Sequence, residues 1–217
     1  MVQTRVGRGA YHHGDLPHAL ADAATDLARC GGPEAVVLRE AARRVGVSAA
    51  AAYRHFADRR ALVLAVAVEA QDRLARAMLD RMDAVRRDAD PAERAVQQLR
   101  AVGLGYIDFA LSEPGWFEVA FLTQDEPRGH GPSVTIDDRV TRPYQLLLDA
   151  LDEMVQARVL TPQRRADAEW VCWSGVHGFA DLATRGPLQG QDPSVIDKLA
   201  AHLVDTIING LRAESSA

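Results

Sequence analysis

The chain has 217 residues, 47% hydrophobic and 25% charged, which is enough for one mid-sized domain or a small domain docked on a larger one. These values predict a soluble globule. The formal net charge of −5 argues, taken alone, against a nucleic acid as partner.

The first predicted helix begins near Asp15 and runs to the turn at residues 31–33, Gly-Gly-Pro. Its apolar face has helical spacing: Leu16, Leu20, Ala23, Ala24 and Leu27. Residues 1–10 show no periodicity and are expected to form either a frayed terminus or an arm that reaches along DNA.

Residues 38–56, LREAARRVGVSAAAAYRHF, contain two short helical patterns joined by a turn. The first pattern has an apolar stripe at positions i, i+3, i+4 and i+7, namely Leu38, Ala41, Ala42 and Val45. Gly46 tolerates positive φ, and Ser48 can cap the second helix. The segment is therefore predicted to be a helix-turn-helix.

If Ala52 and Phe56 face the first helix, then Ala49, Ala50, Tyr53 and Arg54 share the outer face of the second. Such a face suits the major groove of DNA. Small residues allow the backbone to approach base edges, Arg54 can reach guanine or phosphate, and the Tyr53 hydroxyl can donate to a phosphate. The alternative is a helical hairpin that serves only for packing.

The distribution of charge favours the DNA interpretation. Residues 1–60 contain nine arginines and six acidic residues, a net charge of +3, together with four histidines. Residues 61–217 contain sixteen basic and twenty-four acidic residues, a net charge of −8. A basic N-terminal module on an acidic body is typical of a DNA reader.

Asp58 is predicted to cap a long helix that ends near Arg87. Its apolar run at residues 61–68 stops at Glu69, too short to span a membrane, and no apolar segment follows the early arginines. The expected location is the cytoplasm. Cys30 and Cys172 lie far apart in apolar helical patterns and are expected to be reduced thiols.

Further helices follow from proline starts and apolar periodicity, and no strand is expected. The next helix begins at Asp90-Pro91 and breaks after Ser112, and Pro143 is predicted to kink a later one. The remaining predicted segments are a short aromatic helix at 116–121, a surface loop at 124–132, and three helices at about 134–159, 162–185 and 193–211.

The chain resembles the TetR family of bacterial transcriptional regulators over nearly its whole length. The N-terminal motifs that carry the resemblance are YHHGDL at 11–16, LRE at 38–40, GVS at 46–48, and YRHF at 53–56 followed by Asp58 and Ala61-Leu62. In the C-terminal half, YIDFA at 106–110 with Pro114 and Phe117, and WSGVHG at 173–178, resemble the ligand-binding domain of the branch with a Trp-His-Gly signature.

The resemblance implies an all-α subunit that usually forms a homodimeric repressor released from operator DNA by a small molecule. It implies a DNA-binding domain with its N-terminal arm at residues 1–60 and a ligand-binding and dimerisation domain at 61–217. The implied DNA contacts are Arg39, Ser48, Ala49, Ala50, Tyr53, Arg54, His55 and Arg59, of which Tyr53, His55 and Arg59 match positions that bind the DNA backbone in the family.

Two positions depart from the family pattern. Val37 stands where many relatives place a Ser or Thr cap, so the first helix of the motif must rely on tertiary packing. Residues 49–52 are four alanines where relatives often carry a longer polar side chain. Alanine can touch a thymine methyl but forms no bidentate hydrogen bond, so Arg54 and DNA shape are expected to carry more of the specificity.

All three tryptophans lie in the C-terminal half, beside other aromatic residues in helical registers that can converge. This pattern predicts either a plain aromatic core or a pocket for a mostly apolar effector with one or two hydrogen-bonding groups. The candidate lining residues are Tyr106, Phe109, Trp116, Phe117, Phe121, Trp170, Trp173, Ser174, His177 and Asp181. His177 is interpreted as a polar group of this pocket or as a satisfied core or interface histidine.

The last helix has an apolar stripe at residues 196–211 that indicates core or a partner-helix face, and the homodimer seam is favoured. Two glycines at 175 and 178 would allow a close approach between helices. The candidate interface residues are Gly175, Gly178, Ile196, Leu199, Leu203 and Ile207.

Ser174, His177 and Asp181 share a helix face, yet a hydrolase triad is not expected, because side chains along one straight helix do not converge. A metal site at His12-His13 and His18 is not expected either, because no cluster of carboxylates or thiols supplies further ligands. No cofactor is predicted. The alternatives left open are an activator of the same fold, an esterase-like enzyme, and a helical ligand-binding module without DNA function.

Overall fold

The computed structural model describes residues 16–121, 135–136 and 139–212. Within these ranges the chain forms ten α-helices, a 3₁₀ turn at Pro33–Ala35 and one short antiparallel pair of strands. The elements are α1 (Leu16–Gly31), α2 (Leu38–Val45), α3 (Ala49–Ala52), α4 (Arg59–Asp83), α5 (Pro91–Ser112), α6 (Pro114–Phe121), β1 (Thr135–Ile136), β2 (Arg139–Val140), α7 (Arg142–Gln156), α8 (Pro162–Arg165), α9 (Ala168–Thr184) and α10 (Pro193–Arg212). The predicted N-terminal arm, His12, His13 and the predicted loop at 124–132 lie outside the described residues.

The all-α expectation is confirmed, and capping residues explain where several helices begin. Asp58 Oδ1 accepts a hydrogen bond from Ala61 N at 2.8 Å, which starts α4. Asp90 accepts from the first amides of α5, and Pro91 occupies the first turn, where no amide hydrogen is needed. α4 ends at Asp83, four residues before the predicted end, because the chain needs the segment 84–90 to turn into the capped start of α5.

The helix predicted at about 134–159 is present but begins only at Arg142, and the predicted kink at Pro143 is wrong. The described part of this region holds β1, β2 and then α7, which begins at Arg142 and ends at Gln156. Pro143 therefore lies in the first turn of α7, a position that tolerates the missing amide hydrogen and the fixed φ of proline.

The predicted single helix at 162–185 is divided into α8 and α9. The break lies at Ala166 and Asp167, and Asp167 has a φ of 59°, a left-handed conformation that Asp tolerates better than most residues. Arg165 stabilises the corner, because its guanidinium donates to Asp152 on α7 and to Glu169 on α9, both at 2.7 Å.

The core is continuous from the N-terminal helices to the end of α10. α4 packs against α1, α5, α6 and α7, while α5 also packs against α9 and α10, so these two long helices form the centre of the subunit. Buried residues from Leu20 to Leu211 belong to one cluster. None of the described helices is both long and apolar enough to cross a membrane.

Candidate functional site

The helix-turn-helix is present as predicted. Gly46 adopts the left-handed conformation with φ 79°, and its amide contacts the carbonyl oxygens of Ala42 and Arg43. The Ser48 hydroxyl accepts a hydrogen bond from Ala51 N at 3.2 Å and caps α3. Val37 stands at the N-cap of α2 without a side-chain hydrogen bond, as expected for valine.

α3 presents its outer face to solvent because Ala52 is fully buried and Phe56 is half-buried. Tyr53 is 47% exposed, and Arg54 and His55 are exposed beside it. We call the set Ser48, Ala49, Ala50, Tyr53, Arg54 and His55 the α3 surface. Its members lie at the start of α3, within it or directly after it, and they are exposed or, for Ala49, half-buried.

Two of the predicted DNA-contact arginines, Arg39 and Arg59, lie outside this surface. Arg39 is exposed at the start of α2. The next residue, Glu40, pairs with Arg43 at 2.7 Å and with Arg44 at 3.5 Å. Arg59 differs from the expectation. Its guanidinium donates to the carbonyl oxygens of Val36 at 3.1 Å and Pro33 at 2.5 Å, so in this structure it ties the start of α4 to the segment before α2.

Five of the predicted lining residues form an aromatic cluster in the C-terminal part: Tyr106, Phe117, Phe121, Trp173 and His177. Ring centroids of Tyr106 lie 5.6 Å from Phe117, 5.9 Å from Phe121 and 5.4 Å from Trp173. His177 stacks nearly parallel to Trp173 at 6.3 Å. The cluster therefore joins α5, α6 and α9.

Two polar groups of the cluster, the Tyr106 phenol and the His177 imidazole, are paired with each other. Tyr106 Oη lies 2.7 Å from His177 Nδ1, within hydrogen-bonding distance. Burial lowers the pKa of His177, which Arg185 also lowers and Asp181 opposes. Burial raises the pKa of Tyr106 well above its ordinary value, with Asp181 acting in the same direction. A neutral imidazole that accepts at Nδ1 from the phenol O–H fits both directions.

A small cavity of about 30 Å³ adjoins this cluster. Its lining residues come from α4, α5, α7, α9 and α10 and include Tyr106 and Trp173. The aliphatic lining includes Leu99, Val102, Leu147, Val176, Val204 and Ile208. Sequence reasoning missed these residues, because an aliphatic residue that lines a cavity has the same helical spacing as one in a filled core.

Two further polar atoms belong to residues that line the cavity. The indole nitrogen of Trp173 is buried and has no hydrogen-bond partner among the described residues. Burial raises the pKa of the Cys172 thiol to about 12, so this side chain is an uncharged, weakly polar wall at neutral pH. An unsatisfied buried donor is uncommon in proteins and is a place where a ligand acceptor can bind.

Trp116 does not belong to the cavity, which corrects its predicted role. Its Nε1 donates to the carbonyl oxygen of Thr25 on α1 at 2.7 Å. The guanidinium carbons of Arg29 and Arg73 lie 5.0 Å and 4.3 Å from its ring centroid. Arg29 also forms a two-point ion pair with Glu113. Trp116 therefore fastens α6 to α1 of the DNA-binding module.

Four other predicted lining residues lie elsewhere. Trp170 is 50% exposed and packs beside Tyr144, and Phe109 is buried in the core outside the cavity lining. Ser174 is exposed, and its hydroxyl donates to Val171 O at 3.2 Å. Asp181 pairs with Arg185.

The Ser, His and Asp of the disfavoured hydrolase triad thus have separate partners. Ser174 bonds to backbone, His177 to Tyr106 and Asp181 to Arg185. A relay from carboxylate to imidazole to hydroxyl requires hydrogen bonds between the three side chains, and the structure has none between them.

The apolar residues of α10 are divided between the core of the subunit and its outer surface. Ile196 is buried inside the subunit together with Val204 and Ile208, so its predicted place in a dimer interface is wrong. A Cβ at Gly175 would lie 2.5 Å from Ile207 Cδ1, so this glycine serves the close packing of α9 on α10 within one subunit.

An outer face of α9 and α10 remains open to solvent. Among the described residues, no atom outside the local backbone of α9 lies within 4 Å of a Cβ placed at Gly178, and Leu203 is half-buried. We call the exposed apolar residues of these two helices the α9–α10 outer face: Trp170, Val171, Leu182, Val195 and Leu199. Of the predicted interface residues, Leu199 belongs to this face, and Gly178 is also exposed on α9.

Two family models cover most of the chain. Residues 20–66 match the model described as bacterial regulatory proteins, tetR family, and residues 99–207 match the tetracyclin repressor-like C-terminal domain. The protein belongs to the TetR family. The first match contains α2, the turn and α3, and the second contains all five residues of the aromatic cluster and most residues that line the cavity.

Solved structures have the same fold. A protein of unknown function from Rhodococcus sp. RHA1 is 26% identical, with a TM-score of 0.74 over 95% of this chain and 100% of that one. A TetR variant from Acinetobacter baumannii AYE, solved with minocycline, is 20% identical, with a TM-score of 0.56 over 94% and 100%. AibR, solved with isovaleryl coenzyme A and operator DNA, is 17% identical, with a TM-score of 0.54 over 91% and 98%. No curated protein sequence matches this chain significantly.

Proposed function

We propose that this TetR-family protein is a homodimeric transcriptional repressor that acts in the cytoplasm. It binds a near-palindromic operator and leaves it when a small apolar effector enters the C-terminal domain. The observation that carries the proposal is the α3 surface, where an aromatic hydroxyl and a cation stand exposed beside alanines on a capped helix. Such a helix can approach base edges closely.

The side chains of the α3 surface have distinct roles in this proposal. Tyr53 and His55 bind phosphates and set the position of the module on the duplex, and Arg54 reaches a base edge. Arg39 adds a phosphate contact from α2. Arg59 acts indirectly, because its hydrogen bonds to Val36 O and Pro33 O hold the start of α4 in place.

Selection of bound sequences from random DNA with the purified protein tests this function. The enriched site should be near-palindromic, because a two-fold dimer repeats the same half-site. If a dimer neutralises about six to eight phosphates, the slope of log K against log salt should be roughly −5 to −7.

Variants separate positioning contacts from base contacts. The double variant Tyr53→Ala, His55→Ala should weaken selected and random DNA alike, whereas Arg54→Ala should also lose sequence preference. Arg87→Ala is the matched control, since it removes an exposed arginine far from α3 in sequence and should leave binding unchanged. A folded double variant with unchanged affinity would exclude the α3 surface as the DNA site.

The α9–α10 outer face supports a homodimer. Five large apolar side chains on two adjacent helices are exposed there, and two copies of the face could form a four-helix interface about a two-fold axis. Leu182→Glu with Leu199→Glu would place charges in that interface and should give monomers in sedimentation. Val68→Glu, at an exposed position of α4, should stay dimeric. A dimeric double variant would move the interface elsewhere.

The effector part of the proposal rests on the cavity and its aromatic neighbours. Release from DNA requires that the effector bind the DNA-incompatible state more tightly than the other state. The cavity of about 30 Å³ is far below the roughly 300 Å³ of ordinary ligand pockets, so binding must enlarge it. A compound that raises the melting temperature and lowers operator affinity together would establish the response.

A further inference from the structure

We propose that the cavity beside Trp173 takes an uncharged, largely aliphatic molecule with one hydrogen-bond-accepting oxygen, and that this oxygen binds the indole N–H of Trp173. The inference rests on the proposed function, since it names the chemical class of the effector. It assigns to Trp173 the role of the donor that selects this class.

The walls of the cavity exclude a charged ligand. The lining residues that the structure describes come from five helices, and none of them is acidic or basic. A carboxylate or an ammonium group would lose its hydration there without gaining a counter-charge, which is strongly unfavourable. Aliphatic side chains such as Leu99, Leu147 and Val204 form most of the surface, so the body of the ligand is aliphatic.

The polar atoms of the lining select an acceptor. The hydroxyl of Tyr106 is already 2.7 Å from His177 Nδ1, and the Cys172 thiol is a weak donor. The Trp173 side chain is 95% buried, and its Nε1 lacks a hydrogen-bond partner among the described residues. Indole N–H is a donor only, so its complement is a carbonyl or ether oxygen.

The packing of α5 against α10 bears on how the cavity could admit a larger ligand. A Cβ at Gly103 would lie 3.2 Å from Val204 Cγ2, so α5 and α10 touch at this level. Val204, Ile207 and Ile208 line the cavity on the α10 side. Because the free volume accommodates little more than water, a ligand of several carbon atoms must displace side chains of the lining, among which those on α10 pack directly against α5.

The test uses methyl ketones of five to ten carbons as probes, each paired with its isostere in which the carbonyl oxygen is replaced by a methylene group. The carboxylate of the same length is the charged probe. Dissociation constants are measured with the full chain in the absence of DNA. At least one ketone should bind about tenfold more tightly than its isostere, because only the ketone satisfies the buried donor, and no carboxylate should bind better than its ketone.

The N–H resonance of Trp173 reports the contact directly. With ¹⁵N-labelled indoles, assigned through Trp116→Phe, Trp170→Phe and Trp173→Phe, the ketone should move the Trp173 resonance downfield and the isostere should not. Trp173→Phe should reduce the ketone preference to about one, whereas Trp116→Phe, at a tryptophan outside the cavity lining, should keep it. The wild-type comparison and the spectrum hold even if Trp173→Phe fails to fold.

The results separate the inference from the function on which it rests. Ketone binding at Trp173 without any effect on operator affinity would support the ligand class and refute effector release. Absence of binding across the series, equal binding of ketones and isosteres, or a preference that survives Trp173→Phe would overturn the inference. None of these last three results would alter the test of DNA binding at the α3 surface.

Discussion

The phenol oxygen of Tyr106 on α5 lies 2.7 Å from Nδ1 of His177 on α9, inside a ring of aromatic side chains. Each residue restrains the protonation of the other. A protonated imidazole would carry hydrogen on Nδ1, so it would donate to the phenol oxygen and the phenol O–H would lose its acceptor on His177.

The burial of His177 predicts a pH dependence of stability. The pKa of His177 is lowered by burial, so the unfolded chain binds a proton more readily than the folded one. Stability from this group is complete above the ordinary histidine pKa of about 6.5 and is lost as the pH falls through the folded-state pKa.

His177→Gln should therefore lose less of its free energy of unfolding than wild type between pH 7.5 and pH 5, as measured by denaturant titration. His55→Gln, which removes an exposed histidine, should retain the wild-type pH dependence. Parallel curves for wild type and His177→Gln would show that this imidazole does not titrate on unfolding.

Trp116→Phe should reduce the free energy of unfolding by about 1–3 kcal/mol. The change keeps an aromatic ring but leaves Thr25 O without its donor and weakens the contacts with Arg29 and Arg73. Val68→Ala, at an exposed position of α4 outside the proposed dimer interface, should cost less than about 0.5 kcal/mol. Equal losses for both variants would contradict the role of Trp116 as a fastening between α6 and α1.

Gly105→Ala should be severely destabilising. Its Cβ would lie 2.8 Å from Met78 Cα and 3.1 Å from Ala77 O, so α5 would have to move away from the backbone of α4. A loss of about 2–3 kcal/mol or more is expected, as for other overpacked helix contacts. At Gly178 the Cβ meets nothing within 4 Å, so Gly178→Ala should leave subunit folding unchanged or raise helix stability by about 0.5–1 kcal/mol. Thermal unfolding of both variants measures the contrast.

The two cysteines should differ in reactivity. Cys30 is exposed, whereas Cys172 is buried with its pKa raised to about 12, so little thiolate forms there at pH 8. Iodoacetamide should label Cys30 in the folded protein and Cys172 only after unfolding, as mass spectrometry of tryptic peptides will show. Cys30→Ser should then remain unlabelled in the folded state. Rapid labelling of Cys172 in that variant would indicate that the cavity opens to solvent.

Local chemistry made much of the fold predictable. Ser48, Asp58 and Asp90 mark helix starts because their side chains bind free amides, and Gly46 marks a turn because it adopts positive φ. The break at Asp167 was not predictable in this way. Asp167 adopts a left-handed conformation at a corner where Arg165 pairs with Asp152 of α7, and this contact between distant segments has no sign in the local sequence.

The site was predictable only in part, for a related reason. Tyr106, Phe117, Phe121, Trp173 and His177 converge as expected, because each faces the interior of the helical C-terminal part. Periodicity identifies a buried face but not the neighbour against which it is buried. Ile196 consequently belongs to the core of its own subunit, although a dimer interface would require the same apolar spacing.

The eight residues of α6 connect two regions by consecutive positions. Trp116 contacts α1, and the next residue, Phe117, contacts Tyr106 and His177. One residue inserted in a helix turns all that follows by about 100° and advances it by about 1.5 Å. An insertion between these two positions would thus direct Trp116 and the phenylalanines to the wrong partners, even if the helix itself were unharmed. The length of α6 is therefore as strictly constrained as its side chains, and natural length variation in relatives of this protein should avoid it.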